Sequence, residues 1–139
     1  ADLLLAELWG LGYFGSINFF YLPIDFRRGQ PVGYAFANFV APEDAWDFLH
    51  QTNGSFLARF QGQEPLEVQP ARLQGLEANI DHFRNSVVMA SSIKPEHQPM
   101  LILPSTGERV AFPEPTQPGA HSLRKKTSLW KARSLAVCK

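Results

Sequence analysis

Residues 31–40, PVGYAFANFV, carry the pattern in this chain best suited to chemistry, and that chemistry is stacking. Successive side chains of a strand face opposite ways. Val32, Tyr34, Phe36 and Asn38 therefore share one face, and Gly33, Ala35, Ala37 and Phe39 share the other. The small residues suit a face that helices approach closely. Two rings on the opposite, uncovered face make a platform on which bases stack. Catalysis has no comparable pattern. His50, His82, His97 and His121 show no metal-ligand spacing, and the carboxylates of 43–47 read as helix-start charges rather than an acid/base pair. Nucleophile motifs, a Gly-rich phosphate loop and paired cysteines are all lacking, so the chain reads as a non-enzyme without cofactor or metal.

The chain has 139 residues, 45% of them hydrophobic, enough for a packed core. Its single Cys138 excludes an intramolecular disulfide, which fits an intracellular protein of the nucleus or cytoplasm. No apolar run approaches the roughly 20 residues of a membrane span. The first residue is Ala rather than Met, which reads as a fragment or processed product. A net charge of zero hides an asymmetry: residues 1–90 hold ten acids and five bases, net −5, whereas 121–139 hold six bases and no acid.

The elements that position these residues follow from periodicity. Leu4, Leu5 and Leu8 predict a helix over 2–9. INFFYLPIDF predicts a strand over 17–26 that Pro23 interrupts. RRGQP is a turn, and 32–40 is the returning strand of a hairpin. Pro42, Glu43 and Asp44 start a helix that Asn53-Gly54 stops, with Trp46 and Leu49 on one face. PLEVQPAR, 65–72, alternates as a strand. Leu73, Leu76, Ile80 and Phe83 mark a helix over 73–84, weakened in its first turn by Gly75. Residues 102–112 suggest a small hairpin, and the rest of 91–139 is Pro/Ser-rich, then basic, and reads as mostly disordered. Two units result, 1–90 and 91–139. The tail holds Arg-Lys-Lys-Thr-Ser, a candidate for a basic-directed kinase at Thr127 or Ser128, and its charge suits an import patch or RNA.

VGYAFANF resembles the octapeptide of the RNA-recognition motif, in which a basic residue is followed by Gly, an aromatic, a small residue, Phe, Val, any residue and an aromatic. Positions two to five and eight agree; Val32 and Ala37 depart from it. Together with FFYLPIDF, VGYAFANFVAPEDAWDF and ARLQGLEANIDHFRNS, it resembles the C-terminal RNA-recognition motif of the Mei-two-like family over about residues 3–86. The resemblance implies an α+β, ferredoxin-like sandwich whose first strand, central in that fold, has no counterpart ahead of the first helix. It implies a module for single-stranded RNA in post-transcriptional regulation. Phe36 would stack on a base, Tyr34 would stack or wedge against the next sugar, and Asn38 would share their face. Arg27 and Arg28 would reach phosphates or lie over a base, and Arg72 would touch a looped nucleotide. Pro70 stands where the family tends to have an aromatic. The acidic charge of 1–90 opposes a polyanion, which keeps open a protein partner bound by the same fold, or a fragment with no function of its own. The stripe of the helix at 73–84 must be buried, and the only large apolar surface left uncovered is that of Tyr34 and Phe36. The helix is therefore expected to dock partly over that face and compete with RNA.

Overall fold

The computed structural model describes residues 2–56 and 65–117. Helix α1 spans Asp2–Leu8 and runs into a wide helical turn over Trp9–Tyr13. Strand β1 follows at Ile17–Tyr21, β2 at Ile24–Asp25, β3 at Gln30–Pro31 and β4 at Phe36–Phe39. Helix α2 is Pro42–Thr52 and α3 is Leu76–Arg84; β5 is Met100–Ile102 and β6 is Arg109–Val110. The main sheet is antiparallel with the order β4-β1-β5-β6, and β2 and β3 form a separate ribbon.

The long strand expected over 17–26 is cut at Leu22-Pro23, because proline has no N–H for the ladder. Its partner is shorter than 32–40. Gly33 sits at φ 109°, a region that side-chain-bearing residues avoid, and the ladder resumes only at Phe36. Register then pairs Tyr21 with Phe36 and Phe20 with Ala37, and slips by one residue at Asn18 so that Ile17 meets Phe39.

The alternation read from the sequence holds. Ala35 and Phe39 enter a core formed with Leu4, Leu5 and Leu8 of α1, Phe48 of α2, and Ile17 and Phe20 of β1. Tyr13 closes this core: its ring meets Phe48 edge-on at 5.0 Å, and its hydroxyl donates to Asp47 Oδ2 at 3.2 Å. Burial, with help from Asp47, pushes that phenol up to about 12. Trp46 does not anchor α2; it is exposed and stacks on His50, while Phe48 is buried.

Two expectations need correction. Residues 65–72 form no ladder. Leu66 and Val68 do reach the first core, but the backbone is satisfied locally: Leu66 N–H donates to Ser55 O at 2.7 Å and Val68 N–H to Asn53 Oδ1 at 2.8 Å. Pro65 and Pro70 have no N–H, and the sheet order places no strand beside the segment. Second, the C-terminal hairpin is an integral part of the sheet. Met100 and Leu101 pair with Phe20 and Phe19, and the described residues of 91–117 fold back on the body rather than trailing from it. The basic tail, with Thr127 and Ser128, lies outside the described residues.

Helix α3 starts at Leu76, three residues later than its stripe suggests, because Gly75 takes φ 95° as its N-cap. The helix docks on the second face of the sheet, as its stripe requires. Phe83 joins Phe19, Tyr21, Phe36 and Leu101 in a second core, with Leu76, Ile80, Val88 and Phe112 packed around it. Its C-terminal end is tied down. Arg84 Nε donates to Glu114 O at 2.7 Å, and Asn85 Oδ1 accepts from Thr116 N–H at 2.8 Å. The sheet is thus covered on both faces, by α1 and α2 on one and by α3 on the other, an α+β sandwich with an added helical layer.

Candidate nucleic-acid interface

The covering helix decides what the expected platform offers. Phe36 is 6% exposed: it stacks beside Tyr21 at 6.4 Å and shares a core with Phe83. It presents no open ring face, which corrects its expected role as a stacking platform. The reason is that the apolar stripe of α3 must be buried, and the ring face is where it is buried. Tyr34 differs. It is 39% exposed, and its ring meets Phe36 edge-on at 5.5 Å, held from below by a core residue.

Beside Tyr34 lies a groove of about 470 Å³. Ile24 of the β2–β3 ribbon and Val32, the residue after it, line one side, and His82, Phe83, Asn85 and Val88 line the other. Arg27 and Arg28 sit exposed at the ribbon's tip. Asp25 shapes that tip: its Oδ1 accepts from Arg27 N–H at 2.9 Å, and its Oδ2 lies 3.8 Å from Arg28 Nε. The carboxylate is half-exposed and the arginine more so, so this pair holds the turn loosely and leaves the guanidinium solvated.

Arg72 is exposed on the α3 side, close enough for its charge to reach His82. Partial burial pushes the His82 imidazole below its ordinary value, and Arg72 pushes it further down. A base with a depressed folded value binds fewer protons folded than unfolded in the window just below its ordinary value near 6.5. Stability is therefore expected to fall as pH falls through that window. Urea midpoints measured from pH 7.5 to 5 should show the decline, and His82→Gln should reduce it.

Asn38 does not join this group. Its amide donates to Asn18 Oδ1 at 2.8 Å, and it lines a different groove between β4 and residues 71–76. The structure thus places Tyr34 and His82 on one groove, with Arg27, Arg28 and Arg72 exposed but not among its lining residues, and leaves Phe36 beneath and Asn38 apart. Tyr21, His82 and Phe83 belong to the site as well. Tyr21 was legible in the sequence, since Phe19 and Tyr21 share the strand face opposite Phe20, whereas His82 and Phe83 become neighbours of Tyr34 only through the docking of α3. Among the described residues, no group of three or more His, Cys, Asp or Glu is placed to hold a metal ion, and no helix is long and apolar enough to cross a membrane.

Comparison with known proteins agrees with this architecture. The family described as RNA recognition motif 2 matches residues 3–84. Protein MEI2-like 4 of Oryza sativa subsp. japonica is 35% identical over 117 residues, covering 82% of this chain and 12% of that protein. Protein MEI2-like 2 of the same plant is 41% identical over 75 residues, covering 54% of this chain and 9% of that protein. Protein MEI2-like 4 of Arabidopsis thaliana is 34% identical over 114 residues, covering 77% of this chain and 12% of that protein. The chain thus spans about a tenth of the length of these relatives. It belongs to the RNA recognition motif 2 family, in the form found in MEI2-like proteins.

Proposed function

We propose that the chain is a non-catalytic module that binds single-stranded RNA along the rim where Tyr34, the β2–β3 ribbon and α3 meet, and that it serves post-transcriptional regulation inside the cell. What supports this reading is a half-open tyrosine ring on a groove that His82 also lines, together with exposed arginines at the ribbon's tip and an exposed Arg72 whose charge reaches His82. Single strands are held by exposed rings on which bases stack and by cations that track the phosphates. Phe36 contributes by supporting Tyr34 from the core. The net charge of −5 over residues 1–90 lowers non-specific attraction, but a local cluster of arginines still acts within a Debye length of the strand.

Fluorescence anisotropy with a labelled eight-nucleotide single strand tests the reading. Tyr34→Ala is expected to weaken binding by about 1–3 kcal/mol, the worth of one stacked base. Arg27→Gln and Arg28→Gln are each expected to weaken binding across all sequences and to flatten its salt dependence by about one phosphate contact. Absence of binding by the unmodified chain at low salt would overturn the proposal.

A further inference from the structure

We propose that the basic C-terminal tail of this chain docks on the outer side of α2, seating its apolar stretch 129–137 in the trench beside Trp46. Helix α2 covers the face of the sheet opposite α3, and the inference stands independently of the RNA reading.

The first observation is a tryptophan that the fold does not bury. Pro42, Ala45, Trp46 and Leu49 fall at helical spacing and make one stripe of α2. Ala45 and Leu49 lean on the first core, but Trp46 stands 55% exposed, with His50 stacked beside it at 6.0 Å. Tryptophan is the residue type that most often anchors an interface. Pro70 and Gln74 complete a cleft of about 130 Å³ with this stripe. A second hollow of about 320 Å³ shares Pro42, Ala45 and Gln74 with it and runs on past Val40 and Leu73. Two joined hollows suit successive side chains of a peptide segment better than one small ligand.

The second observation selects the occupant. Residues 42–52 and 65–76, which supply most of the trench, carry Glu43, Asp44, Asp47 and Glu67 against the single arginine Arg72. Glu43, Asp47 and Glu67 are exposed. An acidic rim around an apolar floor calls for a basic segment that also carries apolar side chains. The chain has one. Residues 121–139 hold six bases and no acid, and Leu129, Trp130, Leu135 and Val137 are interspersed there with Lys131 and Arg133. Reach favours the same segment. Asn85 holds Thr116 and Gln117 just past the C-terminal end of α3. Leu76, at the other end of that nine-residue helix, lines the trench, so the tail departs roughly 13 Å away at about 1.5 Å per helical residue. The stretch from 118 to Leu129 spans up to about 40 Å when extended at about 3.3 Å per residue. Tethering of this kind gives an effective concentration on the order of millimolar, well above that of a second copy in dilute solution.

The single Cys138 lets the experiment use the whole chain. A nitroxide attached there broadens the signals of nearby protons. The expected result is loss of the Trp46 indole and Leu49 methyl signals relative to the reduced, diamagnetic label, with the methyl signals of Val88 and Leu101 in the second core retained. Trp130→Ser with Leu135→Ser leaves the charge of the tail, and Lys131→Glu with Arg133→Glu leaves its apolar side chains. Each pair is expected to restore the lost signals, and neither touches the folded body. Trp46→Ala, at an exposed position, is expected to restore those of Leu49. Equal broadening in both cores, broadening confined to the groove beside Tyr34, or signal loss unchanged in both tail variants would overturn the proposal. Mixing the nitroxide-bearing chain with an isotope-enriched copy that lacks it separates the source. Intact Leu49 signals in that copy support docking within one chain; their loss would assign the trench to the tail of a second copy and overturn it.

Discussion

Phe83→Ala is expected to cost about 3–5 kcal/mol of folding stability, measured as a shift in the urea midpoint at constant slope. The ring is 2% exposed, lies against Phe19 at 5.5 Å and meets Tyr21 edge-on at 5.2 Å. Deleting it opens a cavity at the centre of the second core, beside the tethered C-terminal end of α3, which limits collapse. Domains of this size are stable by about 5–15 kcal/mol, so the loss is a large share of the whole. The same experiment separates two roles for α3. A helix that merely covered the rings until RNA displaced it would, on losing Phe83, leave a folded protein that bound single strands more tightly. The depth of the ring in the core predicts the opposite: the protein loses stability, and RNA gains no platform.

Phe39→Ala is expected to have a comparable effect through the other core, again about 3–5 kcal/mol by urea denaturation. Phe39 packs against Phe48 at 5.4 Å and meets Tyr13 edge-on at 6.0 Å, so it joins β4, α2 and the turn after α1. The alternation of 32–39 predicts this cost. Alternation alone also predicts that Phe36→Ala spares the fold, and the burial of Phe36 overturns that. Both substitutions are now expected to destabilise, from opposite faces of one strand. A Phe39→Ala protein with an unchanged midpoint would show that α1 and α2 are held without this ring.

The sequence by itself determined the elements whose signals are local. The leucines of α1 fall at helical spacing; Pro42 with Glu43 and Asp44 opens α2, and Asn53-Gly54 closes it. The period of two across Ala35, Phe36, Ala37 and Phe39 assigned each side chain to its face, since a pleated strand admits no other arrangement. The same residues, read with their neighbours, were sufficient to identify the RNA-recognition family. The turn that carries Arg27 and Arg28 was legible from RRGQP alone, whereas Tyr34 falls in the break before β4 rather than on the strand that alternation predicts.

Only the tertiary structure decided whether the second face was open. The stripe of α3 states that the helix must be buried, but the surface that accepts it is a property of the assembled sheet. That surface sealed Phe36, left Tyr34 at the rim, and brought His82 and Val88 across from it. The strand at Met100–Ile102 escaped a reading by alternation for the same reason. Met100 and Ile102 enter one core and Leu101 the other, so a strand covered on both faces appears as an unbroken apolar run. The segment 65–72 shows the converse. Its alternation correctly buried Leu66 and Val68, yet a ladder needs a neighbouring backbone, and side-chain period carries no information about whether one is there.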